Sequence, residues 1–151
     1  MKSIHSAISA LLFLMVLNYG CATTKLSDYK AKSNEESALL SYFVECDAAY
    51  QRQDYTKWLA CFHDDAKIRI FQTDAVTRMD VLKPAYKNYL AAGRASDMQL
   101  EVINPVINID GDKASLKYVN GIVRQMRGRF DFVKDKESWQ ITRMDWTYRG
   151  E

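Results

Sequence analysis

The spacing of apolar residues between residues 33 and 71 constrains the fold more than any other feature of the chain. Leu39, Phe43, Cys46 and Tyr50 recur every three or four residues, so they lie on one side of a helix. The same spacing returns between residues 54 and 62. After residue 65 the apolar residues alternate with other residues, which is typical of a strand with one buried face. The segment therefore predicts two helices followed by the first strand of a sheet.

The first helix has a recognisable start. Ser33 is followed three residues later by Glu36, the spacing of a capping box, in which two side chains bond reciprocally to free backbone N–H groups. Such a cap contributes about 1 kcal/mol. We expect the first helix to run from Ser33 to about Arg52, and the second from Asp54 to about Phe62.

Two cysteines lie on either side of the break between these helices. Because the break is short, the helices should be nearly antiparallel, and Cys46 and Cys61, equally far from its midpoint, could face one another. An oxidising compartment would favour a disulfide between them. Packed helices, however, lie about 8–10 Å apart, whereas bridged Cα atoms rarely lie more than about 6.8 Å apart. On this distance argument we predict two buried free thiols.

The remainder of the chain predicts one more helix and then strands. The helix should begin with Asp80 as its cap, continue to about Ala92 and end at Gly93. Four strands should follow, with bulges at residues 104–105 and 141–144, where the alternation of apolar residues slips. Tight turns are expected at residues 110–112, 127–128 and 134–137. This order predicts an α+β fold with the helices gathered on one face of a bent antiparallel sheet.

The first 32 residues have the character of an export signal and a linker. Lys2 is followed by a run of about ten apolar residues, too short to span a bilayer. Cys21 comes soon after this run, behind a small residue, which resembles the signal of a bacterial lipoprotein; an ordinary secretory leader with an unrelated cysteine is the competing interpretation. We therefore predict a signal peptide over residues 1–20, a lipid anchor and polar tether over residues 21–32, and one folded domain over residues 33–151. The resemblance to Gram-negative lipoproteins, with Ala22 rather than Asp after the cysteine, implies the outer membrane and a domain that faces the periplasm.

Charge and composition exclude several other classes. The 151 residues carry a net charge of +2, which gives no electrostatic reason to expect a nucleic-acid partner. The chain has two histidines and three cysteines without the clustering of a zinc site, so no metal is expected. An apolar content of 48% is typical of a folded domain.

Short motifs with a characteristic order are spread over residues 35–148. They are the segments 50–55 (YQRQDY), 58–62 (WLACF), 64–66 (DDA), 81–90, 109–114 (IDGDKA) and 139–141 (WQI). Together they resemble the nuclear transport factor 2-like superfamily, which includes the ketosteroid isomerases and the SnoaL-like polyketide cyclases. The resemblance implies a cone-shaped, cystatin-like fold, in which a strongly bent sheet wraps around three N-terminal helices and leaves an apolar pocket at its open end. It also allows a homodimer.

The resemblance does not extend to the residues that perform isomerase chemistry. Matching the chain on residues 62–66 puts Cys46 where ketosteroid isomerases have an oxyanion-binding Tyr, and Ile70 where they have a catalytic Asp. That reaction is therefore excluded. We expect a non-catalytic domain, without a cofactor, that binds a small apolar ligand or a partner protein at the cell envelope. The side chains expected to line its pocket are Phe43, Cys46, Phe62, Tyr86, Tyr118 and Trp146.

Two alternatives stay open, because a superfamily fold does not determine function. The first is a cofactor-independent isomerase, hydro-lyase or cyclase, whose acid–base groups would come from His63, Asp64 and Asp47. A solvated turn at His63 and Asp64, and a solvent-facing carboxylate at Asp47, are the competing interpretations of those residues. The second alternative is a structural subunit of an envelope assembly that uses the outer face of the sheet as an interface.

Overall fold

The computed structural model describes residues 23–71, 78–93, 100–122 and 126–148. A 3-10 turn, Leu26–Asp28, precedes the main elements. The helices are α1 (Asn34–Gln51), α2 (Tyr55–Ala60) and α3 (Lys83–Ala91). The strands are β1 (Phe62–Phe71), β2 (Arg78–Leu82), β3 (Val102–Asp110), β4 (Lys113–Asn120), β5 (Met126–Asp135) and β6 (Ser138–Tyr148).

The six strands form one sheet in the order β2-β1-β6-β5-β4-β3. Every pair is antiparallel except β1 and β6, which run parallel. Aromatic side chains of α1 and α2 pack on one face of this sheet: the Phe43 ring lies 5.0 Å from that of Phe130, and the Trp58 ring lies 4.8 Å from that of Phe62. The α+β prediction is thus confirmed. We call the helix-covered side the inner face and the other side the outer face.

The start of α1 agrees with the predicted cap in one half only. The Ser33 hydroxyl accepts a hydrogen bond from the Glu36 backbone N–H at 3.1 Å. The Glu36 carboxylate does not reach back to Ser33. It instead accepts hydrogen bonds from the Tyr29 hydroxyl, at 2.7 Å, and from the Lys32 backbone N–H. The buried carboxylate therefore holds the preceding segment against the helix.

The prediction of free thiols is wrong: Cys46 and Cys61 form a disulfide, with their Cα atoms 6.1 Å apart. The error came from using the distance between helix axes. Each Cα lies about 2.3 Å from its own axis, so residues on facing sides approach more closely than the axes do. Cys61 is moreover the C-terminal cap of α2, where the Tyr42 hydroxyl donates to its carbonyl at 2.7 Å.

The predicted start of the third helix is also wrong. Asp80 belongs to β2, a strand that the sequence analysis missed, and Leu82 is the residue that precedes the helix. Asp80 pairs with Arg69 on β1 at 2.7 Å, an ion pair across neighbouring strands. Pro84 lies in the first turn of α3, where the missing N–H costs little. The predicted end is confirmed, since Gly93 follows the helix with a φ of +74°.

The predicted turn at residues 127–128 is replaced by strand. The chain leaves β4 at Asn120, and Gly128 lies inside β5, opposite Tyr118. Ile122 is 52% exposed because it lies beyond the end of β4. The two predicted bulges are present: the register shifts between Ile103 and Val106, and again where β5 pairs with β6 near residue 142.

Candidate functional site

A row of three residues crosses the inner face of the sheet on neighbouring strands. Tyr118 on β4 pairs with Gly128 on β5, which in turn pairs with Trp146 on β6. A Cβ atom placed on Gly128 would lie 1.9 Å from Cζ of Tyr118. The tyrosine ring therefore lies directly over the glycine, and the absence of a side chain at residue 128 lets it extend towards Trp146. A glycine inside a strand often marks such a close approach.

The polar ends of Tyr118 and Trp146 are buried without partners, and we call them the donor pair. Neither the Tyr118 hydroxyl nor the Trp146 indole N–H makes a hydrogen bond within the described part of the chain. The two groups are close enough for Trp146 to affect the pKa of Tyr118, but their geometry is not that of a hydrogen bond. Burial raises the pKa of Tyr118 well above its ordinary value, so the hydroxyl keeps its proton and can donate.

A carboxylate on α1 lies near the donor pair. Asp47 is half-buried. Burial is the main cause of the raised pKa values of Tyr118 and Tyr50, and the negative charge of Asp47 adds to it. Burial raises the pKa of Asp47 itself, while a hydrogen bond from the Gln51 amide, at 3.4 Å, opposes the rise. The same amide nitrogen donates to the Leu100 carbonyl at 3.2 Å. This link ties the acidic turn of α1 to the chain leading into β3.

The side chains predicted to line a pocket all lie in the core. Phe43, Cys46, Phe62, Tyr86, Tyr118 and Trp146 are each at most 4% exposed. Their roles differ in the structure. Cys46 is held in the disulfide, and the Tyr86 hydroxyl accepts a hydrogen bond from the Trp58 indole at 3.1 Å. Among these six predicted residues, only Tyr118 and Trp146 carry polar groups left without a hydrogen bond in the described structure.

The predicted acid–base residues are not brought together. His63 and Asp64 lie in β1 rather than in a turn, and Asp64 pairs with Lys83 at 2.9 Å. That hydrogen bond and the lysine charge hold the pKa of Asp64 below its ordinary value. His63 borders a groove of about 620 Å³ with Asp110 and other residues near the start of β4 and the end of β5. Asp47 lies by the inner face near the opposite end of β4, so these three predicted residues do not form one acid–base site.

Sequence reasoning identified Tyr118, Trp146 and Asp47 separately but missed the residue that joins them. The signal available was Gly128, which stands between Arg127 and Arg129 where alternation would place an inward side chain. It was interpreted as a turn, because glycine next to charged residues usually marks one. The Phe130 ring, which stacks on Tyr118 at 5.9 Å, completes the apolar surroundings of the donor pair.

Two general properties of the described residues bear on the site. Across the described ranges, no three or more His, Cys, Asp or Glu side chains are grouped so that they could hold a metal ion. The helices in the same ranges are all too short or too polar to cross a bilayer.

The fold, in contrast with the sequence, has clear counterparts among known proteins. No model of a protein family matches the sequence, and no curated protein is similar to it. A nuclear transport factor 2-like protein of unknown function from Pseudomonas putida is similar in structure, with a TM-score of 0.60 and 17% identity over 78% of this chain and 89% of that one.

Two further structures show how varied the proteins with this fold are. One, from Shewanella frigidimarina, is provisionally named a ketosteroid isomerase (TM-score 0.51, 15% identity, 73% of this chain and 94% of that one). Another is the calcium/calmodulin-dependent protein kinase II hub of S. rosetta (TM-score 0.54, 16% identity, 74% of this chain and 95% of that one). At such low identity the likeness concerns architecture alone: this chain has the nuclear transport factor 2-like fold.

Proposed function

We propose that the protein is an exported lipoprotein whose domain binds a small, mainly apolar ligand carrying a hydrogen-bond acceptor. The observation that carries this proposal is the donor pair: two unpartnered N–H and O–H groups that lie together in aromatic surroundings. A buried donor without an acceptor costs about 1–3 kcal/mol. A ligand that presents a carbonyl, carboxylate or sulfonate oxygen to Tyr118 and Trp146 would recover this free energy.

The character of the surrounding side chains supports an apolar ligand. The inner face around the donor pair is formed by aromatic and aliphatic residues of the core, with Phe130 stacked on Tyr118. Pockets of this kind bind through apolar contact and use a few polar groups to fix orientation. The proposal places the protein at the outer membrane, held by a lipid on Cys21 and facing the periplasm, because the N-terminal sequence resembles a lipoprotein signal.

The test removes one hydroxyl and leaves the surrounding side chains intact. Native mass spectrometry of the mature protein would reveal a copurified ligand and the number of subunits. Binding of 8-anilinonaphthalene-1-sulfonate, an aromatic probe with an acceptor group, would be followed by fluorescence in the wild type and in Tyr118→Phe. We expect affinity to fall about fivefold to tenfold in Tyr118→Phe, the loss of one net hydrogen bond.

Tyr42→Phe is the matched control, because it removes a hydroxyl that bonds to the Cys61 carbonyl, away from the donor pair. Its probe affinity should stay at the wild-type value. Equal affinities in wild type and Tyr118→Phe, together with no copurified ligand, would contradict the proposed site. Acylation of Cys21 is tested independently by the intact mass of the membrane-extracted protein.

A second candidate function is favoured by the half-buried carboxylate. In a ligand with a carbonyl group, the donor pair would polarise the oxygen while Asp47, whose pKa is raised by burial, took a proton from the neighbouring carbon. One similar structure is provisionally named a ketosteroid isomerase, which makes such proton transfer worth testing. Deuterium exchange into cyclic ketones, measured by mass spectrometry, should then occur with wild type and be lost in Asp47→Asn. No exchange with wild type would exclude this candidate and leave the binding proposal standing.

A further inference from the structure

The segment before α1 is attached to the sheet close to the predicted lipid anchor. The Thr24 backbone N–H donates to the Asn104 side-chain oxygen at 2.9 Å, and the Asn104 backbone N–H donates to the Thr24 carbonyl at 2.7 Å. Lys25 forms an antiparallel bridge with Ile103, and its ammonium group pairs with Glu101 at 3.1 Å. The described part of the predicted tether therefore lies against β3 instead of hanging free.

This attachment limits how far the domain can lie from an anchor on Cys21. Two residues separate Cys21 from Thr24, which makes three Cα–Cα steps, and an extended chain spans at most about 3.6 Å per step. An acylated Cys21 would thus hold Asn104 within roughly 11–15 Å of the headgroups, allowing for the bond from Thr24 to Asn104. That distance is an upper limit, so this part of the domain can come within the Debye length of about 8–10 Å at physiological salt. Charges on this part of the domain are near enough to act on the lipid surface.

The surface next to Asn104 is a groove on the outer face, and we call it the membrane face. The groove has a volume of about 360 Å³ and crosses strands β3 to β6. Val106, 55% exposed, is one of its apolar residues. In the strand register, Lys117 on β4 lies opposite Val106 on β3, and Arg127 on β5 lies opposite Val119 on β4. Both cations are exposed, and neither has an ion pair within the described ranges.

The other charges in the groove are already balanced. The Asp145 carboxylate lies 3.3 Å from both Arg69 and Arg143. Arg129 pairs with Asp131 at 2.7 Å. The uncompensated charge of the groove is therefore positive, and it is located on Lys117 and Arg127.

We propose that the membrane face rests on the anionic phospholipid surface of the membrane that carries the anchor. Lys117 and Arg127 pair with headgroup phosphates, and Val106 lies at the level of the interface. The inference rests on the proposed acylation of Cys21. Each Lys or Arg near an anionic surface strengthens binding about fivefold, so the two cations together contribute about 25-fold.

The first experiment measures orientation on lipidated protein. With Cys21 acylated and Cys46 bridged to Cys61, a new cysteine is the one free thiol, so it can be labelled with a nitroxide. Val106→Cys places the label on the membrane face. Glu137→Cys places it in the turn after β5, about 20 Å along that strand from the membrane face. The labelled proteins are reconstituted in vesicles of phosphatidylethanolamine and phosphatidylglycerol at 3:1. Molecular oxygen is enriched in lipid, so the accessibility of each label to oxygen is compared with its accessibility to a water-soluble nickel complex.

We expect the label at residue 106 to be shielded from nickel and accessible to oxygen, and the label at residue 137 to be open to nickel. Equal nickel accessibility at both positions in an acylated protein would overturn the orientation while leaving the lipoprotein proposal intact. Shielding of residue 106 from both reagents would mean that a protein surface covers the groove, which also overturns the inference. A mature protein with unmodified Cys21 would remove the anchor and the inference with it.

The second experiment measures the surface charge without the anchor. Mature-length Cys21→Ser protein, residues 21–151, is mixed with the same vesicles, and binding is compared between this parent and the double substitution Lys117→Ser/Arg127→Ser. The expected loss is about 25-fold at low salt. Arg52→Ser/Lys87→Ser, which removes two exposed cations elsewhere, is the matched control and should bind nearly as the parent does. Equal losses in both double variants would show that net charge alone matters and would contradict a defined membrane face.

Discussion

Gly128→Ala offers a direct test of how the donor pair is built. An ordinary Cβ contact lies at 3.4–4 Å, whereas the new methyl group would lie 1.9 Å from Cζ and 2.2 Å from Oη of Tyr118. The ring would therefore have to move by about 1.5 Å or more, against Phe130, whose ring is stacked 5.9 Å away. Overpacking a filled core in this way costs about 1–3 kcal/mol. A glycine-to-alanine change in a compatible strand would instead gain about 0.4–1 kcal/mol.

The assay is equilibrium urea unfolding of four proteins: wild type, Gly128→Ala, Tyr118→Leu and the double variant. Leucine lacks the distal ring atoms that the new methyl group would meet, so Gly128→Ala should be nearly neutral in the Tyr118→Leu background. We expect a coupling free energy of about 2 kcal/mol between the two positions. Gly128→Ala should also weaken binding of the sulfonate probe, because the displaced hydroxyl no longer lies beside Trp146. A coupling below about 0.5 kcal/mol would refute the geometry on which the proposed site depends.

Three further predictions concern stability. Reducing the Cys46–Cys61 bridge should lower the free energy of unfolding by about 3 kcal/mol, because it releases a loop with a sequence separation of 15 residues in the unfolded chain. Urea unfolding with and without reductant measures this loss. The stability of Cys61→Ser should not respond to reductant. Ser33→Ala should cost about 1 kcal/mol, because it leaves the Glu36 N–H without its cap; unchanged unfolding midpoints would contradict this. Asp47→Asn should be more stable than wild type at pH 7. Because folding raises the pKa of Asp47, the folded state disfavours the charged carboxylate. The stability difference between Asp47→Asn and wild type should therefore shrink as pH falls through the raised pKa and vanish below about 3.8. A pH-independent stability difference would contradict the assignment.

The architecture followed from periodicity where apolar spacing was regular. The helical stripe of Leu39 and Phe43, and the alternation at Phe130 and Phe132, both correspond to buried faces. These signals are local, since each depends only on which residues of one element face the core. The fold class could therefore be predicted before any tertiary contact was known.

The errors have a different physical origin. β2 was missed because what places Asp80 in a strand is its pairing with Arg69 in β1, an interaction between separate segments. The disulfide was misjudged because its formation depends on how two helices face each other, which spacing along the chain does not determine. The donor pair was missed for the same reason: Tyr118, Gly128 and Trp146 become neighbours only when three strands align in register.

The place of β6 in the sheet has a consequence for biogenesis. This last strand lies between β1 and β5, so it joins the β1–β2 ribbon to the β3–β5 meander. A chain that has emerged only as far as Asp135 would have two separate half-sheets, each with an unpaired edge that favours aggregation. We therefore expect productive folding to wait until β6, Ser138–Tyr148, has been released, and truncation before this strand to yield aggregating rather than partly active products.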